Sequence, residues 1–333
     1  MIVLGIDTSC DDTSAAILEN RKILSNIVSS QIKFHSKYGG VVPEIASRKH
    51  IEWIEDVVDK ALKSSNLTLK DIDLVAVCKG PGLIGSLLVG VCFAKALSFS
   101  AKKQIIGVNH LEGHIQAIFL EEKFPSFPFI SLVISGGHTC LYRVDGFGEY
   151  KEIGRTRDDA VGEAYDKVAK LLGLGYPGGP VIDMLAKEGN PEKYNLPRPY
   201  LHGSFDFSFS GLKTAVKVLI KNLGLKEGEI TEEIKRDIAA SFQASVIDVL
   251  IEKIKGVVKA EKINKVVISG GVAANSELRR RLMSLKKSNI EIYLPSKHLC
   301  TDNAAMIAVS GYHRYLNGET SDMFLNAKAY MPL

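Results

Sequence analysis

The chain is poor in cysteine, and the thiols it has are scattered. Five cysteines occur among 333 residues, and no two of them form a Cys-x-x-Cys pair. An odd, dispersed set of this kind favours free thiols in a reducing cytosol over a disulfide framework. Two of them, Cys10 and Cys300, fall close to motif loops described below, but proximity in sequence assigns them no role.

Long uninterrupted hydrophobic runs are also absent. The longest apolar stretch, Leu83 to Ser100, contains Gly85, Gly90 and Lys95, so it predicts a buried helix and not a membrane span. The N-terminal run reaches a charged residue at Asp7 and does not resemble a signal peptide. These features predict a soluble, cytoplasmic protein without a membrane segment.

No strong excess of one charge marks the chain. The formal net charge is +4, with 46% hydrophobic and 24% charged residues, as in an ordinary globular protein of one large or two medium domains. Such a balance permits an anionic partner without demanding one. The basic cluster Arg279 to Arg281, with Lys286 and Lys287 beside it, has two interpretations: a solvated helix face or a nucleic-acid contact.

Apolar runs predict alternating strands and helices. Ile2–Ile6 and Ser14–Leu18 flank a polar turn and predict a β-hairpin. Two prolines in Phe124–Pro128 interrupt the pattern, after which Phe129–Ile134 and Cys140–Val144 repeat the hairpin design. The other predicted elements are strands at 74–78, 105–108, 265–268 and 290–294 and helices at 43–65, 234–259, 275–285 and 301–316.

This repetition predicts a duplicated α/β protein. We expect an N-terminal lobe over residues 1–127 and a C-terminal lobe over residues 128–333, with the last helix, 301–316, returning to the first lobe. The tetrapeptide Ile-Ser-Gly-Gly follows a predicted strand twice, at Ile134–Gly137 and Ile268–Gly271. One copy predicts only a tight turn, but two copies favour backbone loops that bind the phosphates of a nucleotide between the lobes.

Two histidines in Asn109-His110-Leu111-Glu112-Gly113-His114 are the clearest candidate ligands. Residues four apart lie on one face of a helix, where two imidazoles can share a metal ion. Glu112 is two residues from each histidine, about 200° around the helix, so it does not occupy the position of a zinc-protease base. With Asn109 as the N-cap, Glu112 is interpreted as a capping residue. The alternative is a capped surface helix that binds nothing.

Nine motifs, in order along essentially the whole chain, carry a resemblance to a known family. The chain resembles the universal tRNA threonylcarbamoyladenosine transferases, the TsaD family, in its bacterial branch, and these enzymes were once called O-sialoglycoprotein endopeptidases. The matching segments are 5–13, 42–48, 80–83, 110–114, 135–139, 158–166, 176–180, 269–275 and 301–306.

The resemblance implies an ASKHA fold, the duplicated two-lobe architecture of actin, sugar kinases and Hsp70. It implies transfer of the threonylcarbamoyl group from threonylcarbamoyl-AMP to N6 of the adenosine 3′ of the anticodon, with release of AMP. That adenosine lies in tRNAs that read codons beginning with A. Two rival functions stay open at this point: a metalloprotease, as in the old family label, and a kinase or nucleotide-binding subunit on the same fold.

The resemblance also implies a metal centre. Its ligands map to His110, His114 and Asp302, and the metal in the family is Fe(II), one ion per subunit, although these ligands also accept Zn(II). Catalysis is then metal-assisted, and no separate base is assigned. Archaeal and eukaryotic relatives have a tyrosine ligand where this chain has Val133, so the group completing the metal shell stays open.

Substrate contacts carry over position by position. The Val133 to Gly137 loop is expected at the phosphate and carbamoyl end of the donor, and further nucleotide contacts are expected from Asp166, Gly179, Asp183 and Asn275. The ligand is an adenylate, with ATP or ADP as alternatives. Implied partners are tRNA, a shorter TsaB-like paralogue and a small TsaE-like ATPase, while homodimer and heterodimer stay open. Lys213 and Arg279 to Arg281 are candidate tRNA-phosphate contacts.

Overall fold

The computed structural model describes residues 1–201, 203–225 and 229–333. The strands are, in chain order, β1 (Ile2–Asp7), β2 (Asp12–Glu19), β3 (Lys22–Ser30), β4 (Leu74–Gly80), β5 (Gln104–Asn109), β6 (Phe129–Ile134), β7 (Thr139–Gly146), β8 (Glu149–Arg155), β9 (Lys265–Ser269) and β10 (Glu291–Tyr293). The helices are α1 (Ile32–His35), α2 (Pro43–Ser64), α3 (Ile84–Ala101), α4 (His110–Gln116), α5 (Val161–Leu171), α6 (Gly178–Ala186), α7 (Ser210–Asn222), α8 (Glu232–Glu261), α9 (Ser276–Ser284), α10 (Lys297–Cys300) and α11 (Ala304–Leu316).

These elements form two compact units. Unit 1 comprises Met1–Phe124, Phe147–Glu149 and Pro295–Leu333, and unit 2 comprises Pro125–Gly146 and Tyr150–Leu294. The last helix, 301–316, was expected to return to the first lobe, and the whole segment Pro295–Leu333 lies in unit 1. It belongs to unit 1 because α11 packs on strands of the first sheet.

Each unit contains one five-stranded sheet, and the two sheets share one order. In unit 1 the order is β3-β2-β1-β4-β5, with β1, β2 and β3 antiparallel and β1, β4 and β5 parallel. In unit 2 it is β8-β7-β6-β9-β10, with β6 antiparallel to β7 and parallel to β9, which is parallel to β10. The predicted hairpin at the start of each half is confirmed, and so is the duplicated α/β design.

The parallel strands of unit 1 are buried apolar runs, as expected for strands covered on both faces. Every residue of β4 except Lys79 is buried. Helix α11 covers this sheet at close range: an added Cβ on Gly5 would lie 2.3 Å from the carbonyl oxygen of Ala304, and one on Gly311 would lie 2.4 Å from Cβ of Ala76. Glycine at these two positions therefore lets α11 approach the strands closely.

Strand β3 and helix α11 differ from the sequence-based prediction. Strand β3 was not predicted, because polar residues such as Ser25 and Asn26 interrupt its apolar pattern. The predicted helix 301–316 begins only at Ala304, because Asn303 is its N-cap and accepts a hydrogen bond from the backbone N–H of Met306 at 3.2 Å. Asp302 therefore lies in the link between α10 and α11.

Helix α3 is the one helix in the described parts of the chain that is long and apolar enough to cross a membrane. One face of it, including Leu87, Val91 and Ala94, is buried, and the helix packs on α2 and β4. A core helix passes the same test of length and composition, so the finding is weak evidence for a membrane span.

Candidate metal centre and nucleotide-binding loops

The histidine pair lies on α4, which follows β5 directly. Asn109 is the N-cap, and its Oδ1 accepts a hydrogen bond from the backbone N–H of Leu111 at 2.8 Å. His110 and His114 are one turn apart and both buried, with ring centroids 4.7 Å apart and planes at 79°. The helix thus places two imidazoles side by side at the carboxyl edge of the sheet.

Asp302 joins this pair from the far end of the chain. Its Oδ1 lies 3.6 Å from Nε2 of His110 and 3.2 Å from Nε2 of His114. One potential ligand atom from each of the three residues lies within 4.8 Å of the others. The structure therefore brings together the three residues that the sequence separates by almost two hundred positions.

The surroundings of these atoms fit a metal ion. Nδ1 and Nε2 of His114 and Nδ1 of His110 are buried, and none of them has a hydrogen-bond partner among the described residues. A buried polar atom without a partner costs free energy, which binding to a cation would remove. Two imidazoles and a carboxylate are ligands that Fe(II) and Zn(II) accept, so this group of residues is suited to a transition metal.

The electrostatics of His110 agree with this interpretation. Burial lowers the pKa of its imidazole, but the carboxylates of Asp302 and Asp7 together with Cys78 outweigh that effect and raise the pKa well above its ordinary value. The surrounding carboxylates therefore favour positive charge at this position. A divalent ion can supply that charge.

A second group of residues at the same edge was missed by sequence reasoning, which left Asp7 out of the metal site. Asp7, Cys78 and His110 form a buried set of potential ligand atoms, all within 4.8 Å of one another, and Oδ2 of Asp7 lies 3.6 Å from Nδ1 of His110. The available signal was topological. The parallel strands β1, β4 and β5 all end near such a residue, and the carboxyl ends of parallel strands meet at one edge.

Glu112 corrects the sequence-based interpretation. Its carboxylate is fully buried, where it accepts hydrogen bonds from Nε of Arg314 at 2.6 Å and from Nε2 of Gln116 at 3.2 Å. It is therefore part of a buried ion pair between α4 and α11 and not simply a capping residue. A carboxylate engaged in this way is unsuited to act as the base of a protease.

The turn between β1 and β2 is held by His50 of α2. His50 is buried, with Nδ1 2.8 Å from the Thr13 hydroxyl and Nε2 2.9 Å from the Cys10 carbonyl oxygen. Burial is the main reason that the pKa of Asp12 rises to about 7, and it also raises the pKa of Asp11. The turn thus presents two carboxyl groups that ionise less readily than usual.

The first Ser-Gly-Gly loop lies in unit 2, at the end of β6. Val133 and Ile134 are strand residues with buried side chains, so the turn itself consists of Ser135, Gly136 and Gly137. Ser135 closes it: its N–H donates to the His138 carbonyl at 2.8 Å, and its hydroxyl accepts from the His138 N–H at 3.1 Å. The two glycines are exposed, and a Cβ on either would meet open space.

The second Ser-Gly-Gly loop packs against the first. Gly270 has φ +90°, and a Cβ there would lie 2.4 Å from the carbonyl oxygen of Ile134, so only glycine fits. The chain then enters α9, whose N-cap Asn275 accepts a hydrogen bond from the Leu278 N–H at 2.9 Å. Its amide also donates to Oε1 of Gln243 at 2.7 Å.

The predicted acidic contacts also bind the backbone of unit 2. Oδ1 of Asp166 accepts a hydrogen bond from the Gly178 N–H at 2.7 Å, and Asp183 accepts from the N–H and the hydroxyl of Ser276 at 3.0 and 2.9 Å. Asp183 and Asn275 therefore meet at the start of α9. Gly179 has open space at its Cβ position. All these residues lie in unit 2, whereas the histidine pair and Asp302 lie in unit 1.

The arginine cluster of α9 is engaged with neighbouring groups. Arg279 donates to the Ala273 carbonyl at 2.7 Å, Arg280 pairs with Glu277 at 2.6 Å, and Arg281 pairs with Asp248 at 2.7 Å. The side chain of Arg280 is 72% exposed, more than that of Arg281. A role in phosphate binding stays a prediction for this helix.

Solved structures with similar architecture indicate the fold. Full-length HypF, in a phosphate- and nucleotide-bound form, matches 99% of this chain at a TM-score of 0.61 and 17% identity, and this chain spans 56% of HypF. An activator of 2-hydroxyisocaproyl-CoA dehydratase from Clostridium difficile, with bound ADPNP, matches 96% of this chain and 97% of its own at a TM-score of 0.53. At such low identity the likeness concerns the fold alone, and it confirms the ASKHA-type fold class.

Sequence comparisons identify the family. The model of the tRNA N6-adenosine threonylcarbamoyltransferases matches residues 22–309. Proteins of that name from Thermodesulfovibrio yellowstonii and Syntrophus aciditrophicus are 74% and 52% identical to this chain; both matches cover all of it, with 100% and 98% of the relative covered. A third, from Clostridioides difficile, is 51% identical over 98% of the chain and 97% of its own length. The chain therefore belongs to the tRNA N6-adenosine threonylcarbamoyltransferase family.

Proposed function

We propose that this chain transfers the threonylcarbamoyl group of threonylcarbamoyl-AMP to N6 of the adenosine 3′ of the anticodon, in tRNAs that read codons beginning with A. The products are N6-threonylcarbamoyladenosine and AMP. The observation that carries this proposal is the convergence of His110, His114 and Asp302 at one sheet edge, in a chain of this family. We place the reaction in the cytoplasm.

The three converging residues would hold one Fe(II) ion per subunit, and the same donors accept Zn(II). Such an ion supplies a Lewis acid that polarises substrate oxygens and fixes their position. Asp302 is well placed to leave an open side toward substrate, because a quarter of its side chain is exposed while both imidazoles are buried. The side chain of Val133 has no donor atom, so we infer that substrate or water completes the shell.

The adenylate would bind to unit 2. Gly136 and Gly137 have no side chains, and the space around their Cβ positions is open. Phosphate and carbamoyl oxygens can therefore approach their backbone closely. The start of α9, beside Asn275, offers backbone N–H groups and the positive end of a helix dipole. Asp166 and Asp183 would meet ribose hydroxyls, and open space at the Cβ position of Gly179 admits the nucleotide.

In the transfer step, N6 of the adenosine attacks the carbamoyl carbon, and the bond from that carbon to the phosphate oxygen breaks. AMP leaves with the electron pair, and the proton that N6 loses passes to the departing phosphate or to solvent. The amine is a weak nucleophile because it is conjugated with its ring, so orientation and polarisation supply most of the acceleration. The mechanism assigns no separate protein base.

The rival functions lack support at this site. A metalloprotease needs a carboxylate base beside its metal, and Glu112 is instead buried against Arg314. A kinase on this fold needs Mg²⁺ on carboxylates and phosphates, which the imidazole pair does not favour. We propose tRNA as the macromolecular substrate, and a shorter TsaB-like paralogue and a TsaE-like ATPase as partners.

The direct test is the modification state of tRNA. Cells depleted of this protein should lose N6-threonylcarbamoyladenosine, measured by mass spectrometry of tRNA nucleosides. The parent gene should restore it, while His114→Ala, produced at the same level, should not. Normal modification in depleted cells that lack a second copy of the gene would contradict the proposal. Transfer assays with and without the two partners would test their requirement.

A further inference from the structure

We propose that Asp7 is a positioning residue for the metal centre: its carboxylate accepts a hydrogen bond from Nδ1–H of His110 and so presents Nε2 of that ring to the ion. The inference rests on the proposed metal centre and deepens it. It concerns which nitrogen of His110 binds the metal and what fixes that choice.

The carboxylate of Asp7 is held at the end of β1. Its Oδ1 accepts a hydrogen bond from the backbone N–H of Ser9 at 2.9 Å, and the side chain is only 1% exposed. Its Oδ2 lies 3.6 Å from Nδ1 of His110. Both of these atoms are buried, and neither has a hydrogen-bond partner among the described residues. A hydrogen bond between Nδ1–H of His110 and Oδ2 of Asp7 would therefore satisfy both atoms.

The imidazole of His110 thus lies between two carboxylates. Asp7 faces its Nδ1, while Asp302 lies 3.6 Å from its Nε2, on the side where His114 also meets Asp302. A neutral imidazole carries one N–H, and the acceptor it meets decides which nitrogen holds the proton. With the proton on Nδ1, the lone pair is on Nε2, which faces the other two ligands.

A small movement completes the bond. Shortening the contact by about 0.7 Å gives an ordinary N–H···O distance. Histidines that bind metals usually donate their other ring N–H to a carboxylate or a carbonyl, which fixes the ring and makes the ligand more basic. Asp7 is in place for that role, and it is available because Ser9 uses only its other oxygen.

Cys78 offers the competing arrangement. Its Sγ belongs to the same buried group as Asp7 and His110, so the thiol is the alternative partner of Nδ1. A thiol is a weaker hydrogen-bond acceptor than a carboxylate, which favours Asp7. A third arrangement makes Asp7 itself a metal ligand. Variants of the two residues separate these arrangements.

The experiment measures metal affinity in the full chain. Four proteins are compared: the parent, Asp7→Asn, Asp7→Ala and Cys78→Ser. Each is freed of metal with a chelator and titrated with Co(II), whose visible absorption reports the number of ligands. Metal affinities are then compared by competition with Zn(II). We expect about tenfold weaker binding in Asp7→Asn, up to about 100-fold weaker binding in Asp7→Ala, and parental affinity within about twofold in Cys78→Ser. The Co(II) spectrum at saturation should keep its shape.

The inference would be overturned if both Asp7 variants bound the metal with parental affinity, or if Cys78→Ser lost affinity instead. It would also be overturned if the Co(II) spectrum of Asp7→Ala showed one ligand fewer. A second measurement needs no variant: ¹⁵N NMR of histidine-labelled, Zn(II)-loaded parent should show the His110 proton on Nδ1 and the metal on Nε2. The reverse assignment overturns the inference even if the variants fail to fold. A parent that binds no metal contradicts the metal centre as well, whereas a parent that binds metal independently of Asp7 contradicts this inference alone.

Discussion

The two units share a sheet order but offer different chemistry at their candidate sites. In unit 1 the candidate residues are two buried histidines, of which three ring nitrogens lack hydrogen-bond partners in the described chain, beside an aspartate whose side chain is a quarter exposed. In unit 2 the candidate side chains Asp166, Asp183 and Asn275 each hold the backbone of a loop or a helix start. Unit 1 therefore offers side-chain ligands for a metal ion, whereas unit 2 offers mainly backbone groups for binding a substrate.

This difference shows that the strand order of a sheet does not determine which functional groups lie at its edge. The same strand order supports an imidazole pair in one unit and glycine turns in the other, because the residues after the strands differ. Variants of the candidate metal ligands in unit 1 should therefore change metal binding with little effect on stability. Variants in unit 2 should change stability and adenylate binding while leaving the metal in place.

The largest expected effect is the loss of transfer in Asp302→Ala and His114→Ala. Each variant removes one of three protein ligands, so we expect metal occupancy to collapse and the transfer rate to fall by roughly 10³-fold or more. Metal content is measured by mass spectrometry of the purified protein, and transfer by formation of the modified nucleoside. Thermal unfolding of the metal-free forms serves as control. Full activity without metal would break the comparison.

Gly270→Ala should produce the largest loss of stability in unit 2. The new Cβ would meet the Ile134 carbonyl oxygen at 2.4 Å on a backbone with φ +90°, so we expect the free energy of unfolding to fall by roughly 2–4 kcal/mol. Gly271→Ala is the matched variant, since a Cβ there meets open space and should cost much less. Urea unfolding measures both. Equal stability of the two variants would contradict the close packing of the two loops.

His313 tests whether the absence of a hydrogen-bond partner distinguishes the candidate metal-binding histidines from other buried histidines. This further buried histidine of unit 1 has a hydrogen-bond partner, because its Nδ1 lies 2.6 Å from Oε1 of Gln116, and its ring stacks on Phe147 at 3.8 Å. Burial lowers its pKa from 6.5 to about 4. The unfolded chain therefore binds a proton at a pH where the folded chain does not, so stability is present above pH 6.5 and is lost as the pH falls toward 4.

His313→Gln should remove this pH dependence and keep the metal. We expect the parent to lose on the order of 2 kcal/mol of unfolding free energy from this group between pH 7 and pH 4.5, and the variant to lose that much less. Urea unfolding of the metal-free proteins at the two pH values checks the slope. A parental slope in the variant, or a loss of metal, would remove the distinction between His313 and the metal histidines.

The smallest expected effect is that of Asp183→Ala in unit 2. The variant removes the acceptor for the N–H and hydroxyl of Ser276 at the start of α9, so we expect a cost of about 1–2 kcal/mol. The KM for threonylcarbamoyl-AMP should rise while metal content stays parental. Loss of metal in this variant would mean that the two sites are not separate in function.

Much of this arrangement was predictable from the sequence because it is local. The hairpins, the helix with His110 and His114 and the turns after β6 and β9 all follow from short-range patterns. Long-range partners were not predictable. Nothing near Glu112 indicates Arg314, and nothing near His50 indicates the Cys10 carbonyl, because the fold alone brings these groups together. The proximity of Asp302 entered through family resemblance, and the structure supplies its distances.

The most direct test of the central claim is a transfer assay coupled to metal analysis. Purified parent and Asp302→Asn are supplied with threonylcarbamoyl-AMP, a tRNA that reads codons beginning with A, and the proposed partners, and the modified nucleoside is quantified against metal bound per chain. We predict about one transition-metal ion and sustained transfer in the parent, with neither in the variant. Equal transfer by both proteins, at equal and substoichiometric metal, would contradict the account.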